Sequence, residues 1–208
     1  MELRIFNPYS LPKRLQASQK NRFPFLTFAT HMLKLKFLFF LIFVLGFQLV
    51  RAQLSSKEIA NLKVDLVKAV EDPKLTDSLS NKLNKLQNKN GLITAYAGTL
   101  EALKAKHAWN PYNKIKYVKL SLKTMQKAID LDKENMEIRF MRFSIEHFTP
   151  GFLGFSKDLT LDRKEIVKHY QSNNFGVANA ELIKNVAKFM IESKRCTPAE
   201  IKIFKKYI

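Results

Sequence analysis

The sequence predicts an all-α fold made of stacked antiparallel helical hairpins, and three observations predict it. From residue 55 onward, apolar side chains recur at spacings of three and four, the period that keeps them on one face of a helix. Capping residues of the Asn, Ser, Thr and Asp type punctuate those runs, several of them just ahead of Pro or three residues ahead of Glu. No stretch shows the strict alternation of apolar and polar residues that marks a half-buried strand.

Three segments are expected. Residues 1–31 hold Pro8, Pro12 and Pro24 among basic Lys13, Arg14, Lys20 and Arg22 without a sustained period, which reads as unstructured. Residues 32–52 read as a secretory signal peptide. Lys34 and Lys36 precede an apolar run over 37–50, broken only by Gly46 and Gln48, and Val50 and Ala52 supply modest side chains before a cleavage point. The run is 14 residues long, short of the roughly 20 that span a bilayer as a helix. Cleavage after Ala52 is expected to release 53–208 as an exported, periplasmic or secreted, helical domain. The competing expectation is an uncleaved N-terminal anchor, with the basic upstream segment held inside. So long a preface to a signal core also points to Met32 as the start of translation.

The released domain opens with Ser55 and Glu58 at capping-box spacing, ahead of a helix whose buried stripe is Ile59, Leu62, Leu66, Val67 and Val70. Asp72-Pro73 is expected to stop it. A second helix is expected from Thr76-Asp77, carrying Leu79, Leu83 and Leu86 and ended by Asn90-Gly91 as a left-handed cap. The third runs over 92–107 with Ala95, Gly98 and Ala102 along one side. A Gly inside a helix costs about 1 kcal/mol relative to Ala, so Gly98 implies a tight helix crossing. The link that follows contains the chain's single Trp. Trp109 there is either a wedge between helix ends, the commoner use of a large aromatic, or a stacking surface for a ligand.

The chain is expected to be organised around a hairpin over 110–148. Asn110-Pro111 sets its start, and Ile115, Val118, Leu122, Met125 and Ile129 form one narrow buried face. Lys116, Lys119, Lys123 and Lys127 recur on another face, where either water or an anionic partner must sit. The helix should end near Asp132, with a turn over 133–135. Ile138, Met141, Phe143, Ile145 and Phe148 then face inward on the return helix, with Arg139 and Arg142 the charged positions between them.

The stretch Lys127-Ala128-Ile129-Asp130-Leu131-Asp132-Lys133-Glu134-Asn135 resembles the end of a tetratricopeptide repeat, in which the second helix closes on Ala, an aliphatic residue, an acid and a turn. The resemblance implies tetratricopeptide-like stacking of hairpins, with Ala128 as the small residue that lets helices approach. Lys133 stands where that family usually has Pro, and Arg139 where it usually has a large aromatic. The match covers about one and a half repeats of ~34 residues. The whole chain also resembles small exported bacterial proteins of this helical type, a resemblance that implies no activity.

Beyond Phe148, the connector over 149–155 is too rich in Pro and Gly for a helix and too apolar to be freely solvated. Phe152, Leu153 and Phe155 are candidates for an exposed partner-binding site on it, the alternative being that they cap the core. Helices are expected over 161–170, with Ile166, Val167 and Tyr170 inward, and over 180–191, with Leu182, Val186, Phe189 and Met190 inward. Thr197-Pro198-Ala199-Glu200 caps a last one running to 208.

The chemistry is sparse. Net charge is +18 over the chain, with 36 Lys+Arg against 18 Asp+Glu. Anionic neighbours are favoured in general, and export argues against nucleic acid. Glu165 and His169 are spaced i, i+4, and His147 follows Glu146, so either pair could begin a metal site, but two ligands do not complete one and a structural contact is the plainer expectation. Asp130, Asp132 and Glu134 lack the Gly and spacing of a calcium loop. Cys196 is alone and sits before a helix start that could acidify it. No phosphate-cradling Gly-rich loop, Gly-x-Ser-x-Gly elbow or His-Glu-x-x-His is present. No catalytic residue, cofactor or metal is therefore expected. The function expected is that of an exported interaction module docking an envelope protein or peptide in the groove between stacked hairpins and through Phe152, Leu153, Phe155 and Trp109. The alternative is a binder of anionic membrane or envelope polymer through Lys116, Lys119, Lys123 and Lys127.

Overall fold

A computed structural model describes residues 54–208 of the chain; the signal-peptide reading of 32–52, the cleavage point at Ala52 and the segment over 1–31 lie outside the described residues. Among the described residues the fold is all-α: α1 (Ser56–Ala69), α2 (Pro73–Asn84), α3 (Gly91–His107), α4 (Pro111–Leu131), α5 (Met136–Phe148), a 3-10 turn (Gly151–Leu153), α6 (Leu159–Ser172), α7 (Ala180–Glu192), α8 (Pro198–Phe204) and a second 3-10 turn (Lys205–Tyr207). No helix among them is long and apolar enough to cross a membrane.

Local chemistry sets the starts. Ser55 and Glu58 form the capping box of α1, and Thr197 and Glu200 that of α8. Asn110 accepts the Asn113 amide at 2.7 Å, with Pro111 in the first turn of α4. Two signals expected to stop helices turn out to start them. Asp72 accepts the amides of Lys74 and Leu75 and Pro73 opens α2, so that helix begins before Thr76-Asp77. Asn90 likewise caps α3 by accepting the Ile93 amide, and Gly91 is already helical. The left-handed residue near that boundary is Asn88. The same Asx-Pro and Asx-Gly pairs serve either end of a helix, and only the position of the next apolar stripe decides which.

The hub is α3 rather than the hairpin over 110–148. It packs on α1, α2, α4 and α5, and its buried residues, among them Ile93, Ala95, Tyr96, Gly98 and Leu100, are spread over several of its faces. Leu62, Leu66, Leu79, Leu83, Tyr96 and Leu100 form the core on one flank of it. Met125, Ala128, Ile129 and Ile138 join it to the central pair, and Phe143, Ile166, Tyr170, Val186, Met190 and Phe204 form the core of the C-terminal helices. Val67 and Val70 are exposed, against expectation, because Leu62, Leu66 and Ala69 already occupy the line i, i+4, i+7. A buried polar junction ties α1, α3 and α5 together: the Tyr96 hydroxyl donates to Glu137 at 2.7 Å, and Lys63 Nζ donates to its other oxygen at 2.8 Å.

The tight crossing at Gly98 is with α4, where Ser121 Oγ donates to the Gly98 carbonyl at 2.7 Å. A methyl group on Gly98 would meet Met125 Cε at 3.2 Å, the far end of a flexible side chain. On Gly91 it would meet Asp132 Cβ at 2.7 Å and the Ala128 carbonyl at 3.0 Å. Gly98→Ala is therefore expected to change stability by less than about 1 kcal/mol, helix propensity offsetting the contact. Gly91→Ala should cost about 1–3 kcal/mol through overpacking. Thermal denaturation of the two variants ranks them.

Candidate functional site

The C-terminal end of α5 is where apolar surface meets solvent. Phe148, expected inside, is 74% exposed, and Phe152 on the following 3-10 turn is 88% exposed, with Leu153 and Phe155 half-buried beside it. Phe148 lies five residues after the fully buried Phe143, about 140° further round the helix, so the two cannot share a buried face. Its ring rests edge-on against His147 and Phe189, with centroids 5.0 and 5.8 Å away. Phe189 in turn packs edge-on against Phe140 at 5.2 Å. Phe148 thus forms the exposed rim of this aromatic cluster, with Phe152 exposed on the connector that follows.

The connector bearing Phe152 is fastened at both ends. At its start, the Thr149 hydroxyl donates to the Ile145 carbonyl at 2.7 Å, and Gly154 closes the 3-10 turn with φ +73, a conformation that favours Gly. At its end, the Asp158 amide donates to Glu146 Oε2 at 3.0 Å. Beneath lies a buried charge cluster that sequence reading missed. Arg142, expected between the apolar positions as an ordinary charged residue, is 2% exposed. It donates through Nε and a terminal nitrogen to the two oxygens of the fully buried Asp162, at 2.6 and 2.8 Å. A further bond runs to Gln126 of α4 at 2.7 Å, and Arg139 adds a contact to Asp162 at 3.1 Å. Arg142 and Glu146 stand four apart on one line of α5. That spacing was legible, but the partners that make it buriable, Asp158 and Asp162, come from the next element.

Burial pushes the Glu146 carboxyl up to about 7, helped by the Asp158 charge and opposed by the Asp158 amide and by Arg142. Its Oε1 has no hydrogen-bond partner. His147 accepts from Arg195 Nε at Nδ1, 2.8 Å away, and burial with the Arg195 charge holds its pKa below the usual imidazole range.

The other candidates separate. Trp109 is not a wedge: it is 96% exposed, in the link between α3 and α4. It belongs to a different connector from Phe152, Leu153 and Phe155. Lys116, Lys119, Lys123 and Lys127 are all exposed on α4, and none is in an ion pair among the described residues. Glu165 lies near Lys168, and His169 is buried with Nδ1 donating to the Asn174 carbonyl at 2.6 Å, which closes the end of α6. Glu146 points inward while His147 faces Arg195, so that pair does not converge either. Cys196 is not acidified: burial, with Glu200 beside it, pushes the thiol up to about 11. A cavity of about 160 Å³ opens beside the turn between α4 and α5, lined by acids and by Phe175 and Val177. It is smaller than the roughly 300 Å³ at which small-molecule pockets begin, whereas a hollow of about 420 Å³ lies beside Tyr170, Ile203 and Tyr207. Comparison with protein-family models, with curated proteins and with solved structures finds no match.

Proposed function

We propose that the chain is an exported helical-repeat interaction module that docks an envelope protein or peptide and performs no catalysis. The observation that carries this reading is the pair of exposed rings, Phe148 at the end of α5 and Phe152 on the connector that follows, which is clipped to a buried ionic cluster. Exposed aromatics on a rigid support are what binding hot spots are made of, since little side-chain freedom is lost on contact. Tetratricopeptide-like stacking is part of the proposal. In its favour, α1 packs on α3 and α3 on α5, each also packs on the helix between, and α2 and α4 do not form a substantial pair. Because α3 is enclosed by four neighbours, the partner is read as meeting the aromatic rim rather than a groove along that helix.

The test is capture from an envelope fraction on immobilised protein, with wild type beside Phe148→Ser/Phe152→Ser. Truncating two exposed anchors is expected to weaken capture of a specific partner about thirtyfold or more, at roughly 1–2 kcal/mol each, with little change in melting temperature. A captured set identical in the two lanes overturns the assignment of the site.

A further inference from the structure

We infer that the outer ridge of α4 is a docking surface for an anionic lipid bilayer, a second contact independent of the aromatic rim. On this helix Met125, Ala128 and Ile129 are buried against its neighbours. On the side turned away from them stand Tyr112, Lys116, Lys119, Leu120, Lys123 and Lys127, all exposed. At 1.5 Å per residue, the lysines span about 16 Å along a straight line. Their charge is not matched locally. Among neighbouring carboxylates, Asp130 accepts from Gln126, and burial raises the pKa of the half-buried Glu101 against a Thr124 hydrogen bond and the charges of Lys104 and Lys127.

Charge alone would suit any polyanion; the apolar residues set among the lysines favour lipid. Tyr112 is 76% and Trp109 96% exposed at the start of the helix, and Leu120 and Leu131 are exposed along it. Amphipathic aromatics with lysines and scattered aliphatics are the composition that settles at the headgroup level, where ring and aliphatic parts enter the acyl boundary and ammonium groups remain at the phosphates. The shape agrees, since the ridge of a helix is convex and meets a flat surface along its length. Such contact would lie parallel to the bilayer and would not span it.

The experiment uses the full chain and its single Trp as reporter. Vesicles of phosphatidylcholine, with and without phosphatidylglycerol, are titrated into wild type and into Lys116→Gln/Lys119→Gln/Lys123→Gln/Lys127→Gln. The apolar run over 37–50 is common to both chains, so the difference between them reports α4. Wild type is expected to exceed the Gln variant in blue shift of Trp109 emission and in co-sedimentation only with phosphatidylglycerol present, a difference abolished by high salt. Each lysine near an anionic leaflet strengthens binding about fivefold, so the quadruple variant should bind two to three orders of magnitude more weakly. The matching Lys→Arg variant should bind as wild type does, which separates charge from folding. Equal binding by wild type and the Gln variant overturns the inference. So does an equal advantage of wild type over the Gln variant without phosphatidylglycerol, or a Trp109 response to soluble dextran sulfate but not to vesicles. Loss of the Phe148 and Phe152 contact leaves all these readouts unchanged.

Discussion

Asp162→Ala is expected to cost about 3–5 kcal/mol of stability, the range for removing one partner of a buried ion pair. The carboxylate is fully buried and receives two bonds from Arg142 and one from Arg139. Without it, Arg142 keeps only Gln126 at 2.7 Å and Asp158 at 3.4 Å, and a guanidinium that is 2% exposed has no route to water. The cost is therefore mostly that of a stranded charge rather than of the lost bonds. A double variant, Arg142→Met/Asp162→Leu, tests that account, because replacing both members with apolar residues should recover most of the loss. Urea denaturation followed by circular dichroism measures both. A loss under about 1 kcal/mol in the single variant would mean that Arg142 relaxes outward and that the cluster does not hold α6 to α5.

The same cluster explains what was and was not legible in the sequence. Helix existence and order followed from periodicity and caps, because those signals are local: Ser55 with Glu58, Asn110 with Pro111, and Thr197 with Glu200 act within one turn. Direction was harder where the local signal is symmetric, as at Asp72-Pro73 and Asn90-Gly91. Assignment of faces failed where hydrophobicity stood in for burial. On α5 the inward line carries Arg142 and Glu146, with Asp158 and Asp162 answering from across the connector, while Phe148 is left outside. Such pairing depends on residues that are neighbours only after folding. Phe152 is legible because its connector is apolar yet rich in Pro and Gly, whereas nothing local distinguishes Phe148 from the core Phe143 on the same helix. The role of α3 as hub was also hidden, since its buried residues fall on several faces and mark no single stripe.

Glu146→Gln is expected to stabilise the protein, and only on one side of neutrality. Burial raises the folded-state pKa of Glu146 from 4.5 to about 7, so between those values the native state holds a proton that the unfolded chain releases. The stability linked to this group is thus fully present below pH 4.5 and is lost as pH rises through 7. Above that point the fold must carry a buried carboxylate, at about 1.4 kcal/mol for each pH unit between the two values, or about 3 kcal/mol in all. Gln has the shape of the protonated acid and keeps an oxygen for the Asp158 amide. Its amide group can donate where Oε1 now has no partner, towards a site crowded by the carboxylates of Asp158 and Asp162. The two proteins should then be about equally stable at pH 4.5, with the variant ahead by about 2–3 kcal/mol at pH 8.5. Surface carboxylates with lowered pKa, Glu58 and Glu71, are common to both chains and cancel in the difference. Denaturation midpoints measured across that interval would show the curves diverging; parallel curves would place the Glu146 pKa near its ordinary value and remove the charge strain assigned to the connector clip.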